Sequence, residues 1–406
     1  MSHYIVIGAG QAGQSIVTTL RGQGFDGKIT LIGDEPAIPY QRPPLSKAYL
    51  LGSMELERLY LRPASYYADE NIDLRTSAEV TAIDAAAKTV SLRSVDGVDE
   101  TLSYDALALS TGSAPRRLPA KIGGDLDGVY TMRTLADADA IAPEFKEGAS
   151  VLIVGGGYIG LEAAAVAAKK GLKVTLVEMS ERILQRVASK ETSDYFRALH
   201  ESHGVRILEG VGLNQLTGDA RVTGAELSDG SSLDVDFVIV GVGIIPGTEL
   251  AEAAGLAIDN GIKTDLFART SDPSIYAAGD CASFPQDGAQ VRLESVGNAI
   301  DQGAIVAKNM LGQDVAYAPK PWFWSDQYDV KLQIAGLSTG HDQVVIRDGG
   351  AVRSHWYYKD GQLIAIDAMG DPRGYMVAKR LIESGKTADP EVVADPESDL
   401  KVLLKA

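Results

Sequence analysis

The sequence predicts an α/β protein built from two nested Rossmann-like domains and a C-terminal α+β domain. The first observation behind this prediction is a glycine-rich turn between an apolar strand and a helix, which occurs twice, at 4–13 and 151–160. The second is that strand and helix patterns after the second copy continue the first domain, which is therefore interrupted and then resumes. The third is a run of short strands after Pro319 that ends in a helix.

The first glycine motif, YIVIGAGQAG, places an apolar run directly before a turn with three glycines, Gly8, Gly10 and Gly13. Gly8 allows the turn, Gly10 lets the backbone approach a pyrophosphate, and Gly13 lets the following helix pack on the strand. The unpaired N–H groups at the start of that helix favour phosphate. A second strand then ends at Asp34, at the distance expected for an acid that binds a ribose hydroxyl.

The second motif, VLIVGGGYIGLE, repeats this pattern with Gly155, Gly157 and Gly160. The strand that follows it ends at Glu178. One such motif is a weak signal, because a glycine-rich turn can join any strand and helix. Two complete strand–turn–helix–strand units, each ending in an acid, are far more specific. The sequence therefore predicts two dinucleotide sites in one chain.

Composition limits the classes of function. The 406 residues are 45% apolar and 23% charged, as in ordinary globular proteins, and their formal net charge is −17. That acidity disfavours nonspecific binding to nucleic acids and anionic membranes. The first strand begins at Tyr4, which leaves no room for a signal peptide, and the apolar segment 151–168 contains Glu162 and several glycines. We therefore expect a cytoplasmic protein without a membrane or nucleic-acid partner.

Prolines in the segment EPAIPYQRPPLSK, at 35–47, oppose regular structure. This segment is either a surface connector or a stiff arm that lays Arg42 and Lys47 along a cofactor. Changes in pattern along the chain place the domain boundaries. The predicted domains are a first dinucleotide-binding domain at 1–113 and 244–319, a second at 114–243, and the α+β domain at 320–406.

Three helix starts are predicted from capping residues, at Thr134, Ser189 and Asp371. His200 and His203 lie in the last turn of the second of these helices. A metal site there would need two more ligands, and none is nearby in the sequence. Contact between a histidine and the helix dipole is the simpler interpretation. We therefore expect no metal.

The chain resembles the FAD-dependent ferredoxin reductases of bacterial oxygenase systems, the family of putidaredoxin reductase and the biphenyl dioxygenase ferredoxin reductase. The resemblance covers essentially the whole chain and rests on the segments GAGQAG, YQRPPLSK, STG, GGGYIGLE, TSDPSIYAAGDC, ESVGNAIDQG and PWFWSDQ. The glycine motifs are shared by many flavoproteins, whereas RPPLSK and WxWSDQ are much more specific. The resemblance implies a glutathione-reductase-like fold and an enzyme that uses FAD and NADH.

The resemblance also implies site residues. Lys47 is expected near the reactive edge of the flavin and Glu162 is expected to pair with it, so both are assigned catalytic roles. The implied FAD-binding residues are Gly8, Gly10, Ala12, Gly13, Asp34, Arg42, Lys47, Val80, Arg133, Asp280, Val296 and Trp324. The implied NAD-binding residues are Gly155, Gly157, Ile159, Gly160, Glu178, Arg186 and Gly243.

Two of these assignments keep an alternative. Glu162 also fits an ordinary acid in the first turns of a helix, where the dipole favours negative charge. Trp324 also fits a core aromatic of the third domain, or a contact with a partner protein.

Glu178 favours NADH over NADPH because its charge repels a 2′-phosphate. Arg182 and Arg186 complicate that preference, since an arginine can accept the phosphate.

The function implied by the resemblance is NADH:ferredoxin reduction. Hydride passes from NADH to N5 of FAD, and single electrons then pass to a [2Fe–2S] ferredoxin that feeds a cytochrome P450 or a ring-hydroxylating oxygenase. A rubredoxin reductase, or a diaphorase that reduces quinones, fits the same motifs. A flavoprotein of the apoptosis-inducing-factor group fits less well. The single cysteine, Cys281, excludes a redox cysteine pair within the chain and is expected to be a buried structural residue.

Overall fold

The alternation of apolar runs with glycine turns and amphipathic segments produces parallel sheets flanked by helices. The computed structural model describes residues 2–286, 288–350 and 352–404. Within them the strands are, in chain order, β1 His3–Ile7, β2 Lys28–Ile32, β3 Ile72–Arg75, β4 Ala78–Asp84, β5 Thr89–Ser94, β6 Asp99–Ser103, β7 Ala106–Leu109, β8 Ser113–Pro115, β9 Val129–Thr131, β10 Ser150–Val154, β11 Lys173–Glu178, β12 Arg206–Glu209, β13 Leu213–Gly218, β14 Val222–Leu227, β15 Ser232–Asp234, β16 Phe237–Val240, β17 Ile244–Pro246, β18 Ile262–Lys263, β19 Ile275–Ala277, β20 Ala282–Gln286, β21 Ala289–Val291, β22 Trp322–Gln327, β23 Val330–Gly336, β24 Gln343–Asp348, β25 Arg353–Lys359 and β26 Gln362–Met369.

Helices connect these strands. The α-helices in the described part of the chain are α1 Gln11–Gly22, α2 Ala64–Asp69, α3 Leu135–Ile141, α4 Tyr158–Lys169, α5 Lys190–Ser202, α6 Glu249–Ala253, α7 Val296–Met310, α8 Pro372–Glu383 and α9 Pro390–Ala394. Short 3₁₀ helices lie at Pro43–Ser46, Leu56–Arg58, Ala120–Ile122, Ala142–Glu144 and Leu400–Leu404.

The chain divides into two compact units. The first comprises Met1–Gln41, Glu55–Ala114 and Ile244–Pro319. The second comprises Arg42–Met54, Pro115–Gly243 and Lys320–Ala406. The second unit therefore contains the proline-rich arm from Arg42 onwards, the second glycine motif and the C-terminal region. The predicted division into domains at 113, 243 and 319 stays a prediction.

The main sheet of the first unit is parallel, with strand order β19-β7-β1-β2-β3. β1 is its central strand and is apolar because both faces of a parallel sheet are covered. β19 follows the second glycine motif in the chain and yet pairs with β7, so a late segment completes the first sheet. This pairing is the nesting that the sequence predicts. α1 and α7 pack against one another, and Gly303 of α7 allows the close approach to Ala12 of α1.

Smaller sheets complete the first unit. β4, β5 and β6 form an antiparallel sheet, and β18, β20 and β21 form another three-stranded sheet. The apolar core between the main sheet and the β4–β6 sheet includes Ile5, Leu107, Val80 and Leu92, which are all at least nine-tenths buried. This core holds the ends of the main-sheet strands in place.

The second unit contains a parallel sheet of order β12-β11-β10-β16-β9, with the second glycine motif between β10 and α4. It also contains an antiparallel C-terminal sheet of order β22-β23-β26-β25-β24, against which α8 packs. The sequence predicts four strands for that sheet, and β22 is a fifth strand that the prediction missed. β22 contacts α4 as well as pairing with β23.

The three predicted helix caps are confirmed. Thr134 and Asp137 form a reciprocal capping box at the start of α3. The hydroxyl of Ser189 accepts a hydrogen bond from the N–H of Thr192. Asp371 accepts one from the N–H of Gly374, with Pro372 at the first helical position.

Candidate functional site

Two glycines of the first glycine turn have no room for a side chain, whereas the third has free space around it. Gly8 has a φ of +104°, and a Cβ there would collide with the carbonyl oxygen of Ser110. A Cβ at Gly13 would collide with the carbonyl oxygen of Gly8. At Gly10, directly before α1, nothing lies within 4 Å of an added Cβ. The turn is therefore tight against its own sheet and leaves backbone N–H groups open to a phosphate.

Two more predicted FAD residues lie beside this turn. Ala12 is in the first turn of α1. A Cβ added at Gly279 would lie 3.1 Å from the Cβ of Ala12. Asp280 follows Gly279 just beyond β19, and its Oδ2 accepts a hydrogen bond of 3.0 Å from the hydroxyl of Ser113. The structure thus places Gly279, the residue before Asp280, against Ala12 at the carboxyl end of the sheet, where ligands bind in open α/β sheets.

The remaining predicted residues of the first unit have varied surroundings. Asp34 is exposed just beyond β2, the position of a ribose-binding acid. Val80 lies on β4, is 9% exposed and packs in the apolar core. Val296 begins α7 and is half-buried, directly after Ser295, which caps that helix. Contacts of these three residues with FAD stay predictions.

The second glycine turn has the same construction in the second unit. Gly155 has a φ of +108° and faces the carbonyl oxygen of Gly241, while Gly160 packs against the carbonyl oxygen of Gly155. At Gly157, as at Gly10, nothing lies within 4 Å of an added Cβ. Glu178 differs from Asp34, because its Oε2 accepts a hydrogen bond of 2.7 Å from the N–H of Gly156. The acid therefore holds the turn, and its contact with a ribose stays a prediction.

The predicted NAD residues around this turn are partly assembled. Ile159 is 41% exposed on the first turn of α4. Gly243 has a φ of +102°, and the guanidinium of Arg186 approaches it, 3.8 Å from an added Cβ. Arg182 points elsewhere: it donates hydrogen bonds to the carbonyl oxygens of Ala188 (2.9 Å) and Ser189 (3.1 Å). Of the two arginines that complicate the NADH preference, only Arg186 is exposed.

Lys47 and Glu162 form the pair that the resemblance implies. Nζ of Lys47 lies 2.8 Å from Oε2 of Glu162. The side chains are 16% and 5% exposed, so this ion pair is largely removed from water. Lys47 follows the 3₁₀ helix Pro43–Ser46, which packs against α4, and Nζ also donates to the carbonyl oxygen of Pro43. The geometry fixes a single positive charge at the end of the proline-rich arm.

Two serines that received no role from the sequence complete the coordination of Glu162. Ser46 donates a hydrogen bond of 2.8 Å to Oε2, and Ser325 donates one of 2.7 Å to Oε1. Glu162 therefore accepts three hydrogen bonds from side chains on two segments, Ser46 and Lys47 of the proline-rich arm and Ser325 of β22. An acid that served only the helix dipole would need none of them, so the geometry favours the functional interpretation of Glu162. The two serines lie within RPPLSK and WxWSDQ, the most specific segments of the resemblance.

The other predicted FAD residues of the second unit are Arg42 and Trp324, which lie within these segments, and Arg133, which lies outside them. Arg42 donates a hydrogen bond of 2.9 Å to the carbonyl oxygen of Arg133, so the structure brings these two together. Trp324 is half-buried on β22 and stacks on Trp322, with ring centroids 5.4 Å apart. This exposure leaves both alternatives for Trp324, ligand contact and packing, as predictions.

His200 does not carry the positive charge that a favourable interaction with the helix dipole requires. The interpretation of His200 as a dipole contact is therefore wrong. Its Nε2 lies 2.8 Å from Oε1 of Gln327 and its Nδ1 lies 3.1 Å from the hydroxyl of Tyr328. Burial lowers the pKa of His200 to about 4, so the imidazole is neutral at pH 7. His203, which is exposed, stacks on the ring of Tyr328 instead. A buried neutral histidine gives no periodic signal in the sequence.

Two absences concern the described residues alone. In residues 2–286, 288–350 and 352–404, no group of three or more His, Cys, Asp and Glu side chains is arranged to hold a metal ion. Over the same ranges, the helices are too short or too polar to cross a membrane. Cys281 is fully buried, as expected.

Comparisons with known proteins identify the family. The pyridine nucleotide-disulphide oxidoreductase family matches residues 2–303, and a reductase C-terminal family matches residues 322–404. Rhodocoxin reductase from Rhodococcus erythropolis is 42% identical over 407 residues, covering 98% of this chain and 94% of that protein. Putidaredoxin reductase CamA from Pseudomonas putida is 39% identical over 411 residues, covering 99% and 96%.

Solved structures agree. The reductase in the covalent putidaredoxin reductase–putidaredoxin complex matches with a TM-score of 0.95 at 38% identity, covering 100% of this chain and 98% of that chain. The two open glycine turns and their acids fit FAD and NAD(H), the cofactors of these relatives. The chain therefore belongs to the pyridine nucleotide-disulphide oxidoreductase family, and within it to the FAD-dependent ferredoxin reductases.

Proposed function

We propose that this protein is a cytoplasmic NADH:ferredoxin reductase that supplies single electrons to a [2Fe–2S] ferredoxin of an oxygenase system. The observation that carries the proposal is the buried ion pair between Lys47 of the proline-rich arm and Glu162 of α4. Glu162 lies five residues beyond Gly157, which corresponds to about 7.5 Å along a helix. A fixed positive charge thus stands one to two turns from the open glycine turn that is proposed to bind the pyridine nucleotide.

Each group then has a defined task. The turn that contains Gly8, Gly10 and Gly13 receives the phosphates of FAD, and the turn that contains Gly155, Gly157 and Gly160 receives those of NADH. When bound, FAD accepts two electrons from NADH and passes them on one at a time. Lys47 places its ammonium group where negative charge develops during this reaction, and Glu162 fixes the position of that ammonium group.

The choice of donor rests on Glu178. Its carboxylate accepts the N–H of Gly156 and, through Oε1, the N–H of Ser180 at 2.8 Å. A 2′-phosphate near this carboxylate would meet a fixed negative charge. Like charges about 4 Å apart repel by roughly 4 kcal/mol at an effective dielectric of 20. NADH is therefore the proposed donor, and Arg186 is an exposed cation near Gly243 that opposes this preference.

The choice of acceptor rests on the relatives. Rhodocoxin reductase and putidaredoxin reductase are similar along the whole chain, and the matching structure is a complex of a reductase with putidaredoxin. A small [2Fe–2S] ferredoxin is thus the proposed partner, and an oxygenase is proposed to receive its electrons.

The experiment is NADH-driven reduction of cytochrome c by the purified flavoprotein, with and without a [2Fe–2S] ferredoxin. We expect strong stimulation by the ferredoxin and much slower reduction with NADPH. Fast turnover with quinones or dyes but no stimulation by ferredoxin would contradict the proposal and favour a diaphorase. Stimulation by rubredoxin alone would favour a rubredoxin reductase.

A further inference from the structure

Ser325 has a position that the proposed function does not yet use. It lies on β22, its side chain is fully buried, and its hydroxyl donates a hydrogen bond of 2.7 Å to Oε1 of Glu162. The other oxygen of Glu162 faces Lys47 at 2.8 Å. A hydroxyl has one proton, so Ser325 gives its single donor to Glu162. The orientation of this carboxylate, and hence of Lys47, depends on that donor.

A chain of buried polar groups stands behind Ser325. Nε2 of Gln327 donates a hydrogen bond of 3.1 Å to the hydroxyl oxygen of Ser325. Oε1 of Gln327 lies 2.8 Å from Nε2 of His200, and Nδ1 of His200 lies 3.1 Å from the hydroxyl of Tyr328. Gln327 and His200 are both fully buried. The chain therefore runs from α5 through β22 to α4.

Proton counting fixes the direction of each hydrogen bond. Because Gln327 donates to Ser325 through its amide nitrogen, its amide oxygen must accept from His200, which therefore carries its proton on Nε2. Nδ1 of His200 is then an acceptor, and Tyr328 donates to it. The opposite orientation of the Gln327 amide would take the proton of Ser325 and set two oxygen lone pairs against each other at the contact with Glu162. We assign the orientation from this network.

Every donor in the chain therefore points toward Glu162. Aligned hydrogen bonds polarise one another, which strengthens the last bond of the series. The chain requires a neutral imidazole with one donor and one acceptor nitrogen. Burial lowers the pKa of His200 to about 4, so the neutral form is present at pH 7.

We propose that Ser325 is a positioning residue for the Lys47–Glu162 pair, and that Gln327 and His200 keep Ser325 in its donating orientation. Ser325 fixes Oε1 of Glu162 so that Oε2 stays directed at the ammonium group. The inference rests on the proposed function, since it assigns to Ser325 an effect on the same reaction through Lys47. It adds α5 to the elements that determine the position of the charge.

The structure offers a matched control in Ser354. This serine is also fully buried and donates a hydrogen bond of 2.9 Å to a carboxylate, that of Asp371. It also accepts a hydrogen bond from a side chain two residues further along its strand, Nε1 of Trp356 at 3.0 Å. Asp371 caps α8 and belongs to neither glycine turn nor the Lys47 pair. Replacing either serine with alanine removes the same kind of interaction from the same sheet.

The test compares Ser325→Ala, Ser325→Thr and Ser354→Ala as FAD-bound enzymes. The readouts are the rate of flavin reduction by NADH in stopped flow, the midpoint potential of the flavin and the melting temperature. In Ser325→Ala we expect about tenfold slower reduction, the effect of one lost hydrogen bond to a charged group, and a more negative potential. Ser325→Thr keeps the hydroxyl and should restore both. Ser354→Ala should lower the melting temperature to a similar extent with both flavin readouts unchanged.

Failure of the inference is distinguishable from failure of the proposed function by a Lys47→Met variant. If Lys47→Met slows reduction and Ser325→Ala changes only the melting temperature, Ser325 is merely structural and the inference is wrong. If Lys47→Met leaves reduction and potential unchanged, the site assignment itself is wrong and the inference falls with it. Should Ser325→Ala fail to fold, Gln327→Met tests the same chain one bond further away. Slower reduction with a more negative potential supports the inference, and unchanged values overturn it.

Discussion

Two buried carboxylates in the second unit have opposite surroundings. The side chain of Glu162 is 5% exposed and faces the ammonium group of Lys47 at 2.8 Å. Asp367 is 1% exposed and is held by the hydroxyls of Thr192, at 2.8 Å, and Tyr357. Burial raises the pKa of Asp367 to about 6, against an ordinary value of 3.8. The charge of Glu162 is compensated by a cation. Asp367 has no such partner among the residues that the structure describes, and its raised pKa favours the neutral form.

This difference shows that burial of an acid does not by itself identify a functional site. Asp367, on β26, joins Thr192 of α5 and Tyr357 of β25, and Thr192 also contacts Nδ1 of His355 at 2.7 Å. The group therefore fastens a helix to the C-terminal sheet. Glu162 instead fixes a positive charge near a turn that is open to a ligand. The predictions below test whether charge compensation separates these two roles.

The largest effect is expected for Glu162→Gln. The variant leaves the ammonium group of Lys47 buried without its carboxylate, and removal of one member of a buried ion pair costs about 3 kcal/mol or more. If that loss appears in the transition state, flavin reduction by NADH slows about 100-fold. Asp367→Asn should keep the rate within about twofold, since no charge near the glycine turn changes. Stopped-flow reduction measures both, and equal rates in the two variants would remove the distinction between the carboxylates.

The second prediction concerns pH. The raised pKa of Asp367 means that its contribution to stability is fully present below about pH 4 and lost as pH rises through about 6. Its size is about 3 kcal/mol, because the shift is roughly two pKa units. Burial lowers the pKa of His355 to about 4, so its contribution is lost as pH falls below about 6.5. The two groups therefore oppose each other between pH 4 and 6.

Replacing Asp367 with Asn removes one side of this balance. On acidification from pH 6 to pH 4, the free energy of unfolding of Asp367→Asn should fall about 2 kcal/mol further than that of the wild type, because the rest of the contribution is gained above pH 6 and below pH 4. Urea unfolding at several pH values across this interval measures the difference. Parallel pH profiles for the two proteins would show that Asp367 has the same protonation behaviour folded and unfolded, and would cancel the contrast with Glu162.

These carboxylates also show what the sequence can predict. The glycine turns, the acid Glu178 and the pairing of Lys47 with Glu162 follow from motifs or from the resemblance, because their spacing along the chain is characteristic. Ser325, His200 and the strand β22 do not follow. Their roles depend on hydrogen bonds between elements more than 100 residues apart, such as that between Glu162 and Ser325. No local period in the sequence reports such a contact.

A third carboxylate of the second unit sharpens the comparison. Glu178 is compensated by backbone N–H groups, those of Gly156 and Ser180. Glu178→Ala should narrow the ratio of kcat/KM for NADH over NADPH by about tenfold, since it removes the charge that repels a 2′-phosphate. The matched control is Glu209→Ala. Glu209 lies opposite Glu178 on β12 and accepts a backbone N–H in the same way, from Ile183 at 2.8 Å.

Steady-state kinetics with both nucleotides give the result for Glu178. The control should change kcat/KM for NADH and NADPH by the same factor, because the charge of Glu209 is paired with Arg197 and its carboxylate holds the loop at Ile183. If Glu178→Ala also changes both by the same factor, the acid serves only to hold the turn. The NADH preference would then have to come from another group, with Arg186 excluded because its charge favours NADPH.

The smallest effect is expected for a buried group without charge. Cys281 of the first unit is fully buried, and its thiol donates to the carbonyl oxygens of Ala278 (3.4 Å) and Leu109 (3.7 Å). Burial raises the pKa of this thiol, so it stays protonated and unreactive at neutral pH. Although the family is named for disulphide chemistry, this single cysteine can form no disulfide within the chain. Electron transfer through this protein should therefore not depend on the thiol of Cys281.

Cys281→Ala tests that independence. We expect a loss of about 1 kcal/mol or less in the free energy of unfolding, since one small buried atom is removed, and an unchanged rate of ferredoxin reduction. Iodoacetamide should not label the native enzyme and should label the urea-unfolded chain. Rapid labelling of the native protein together with loss of ferredoxin reduction would show that the thiol is accessible and takes part. A neutral buried group would then take part in the reaction, and charge would no longer separate functional buried groups from structural ones.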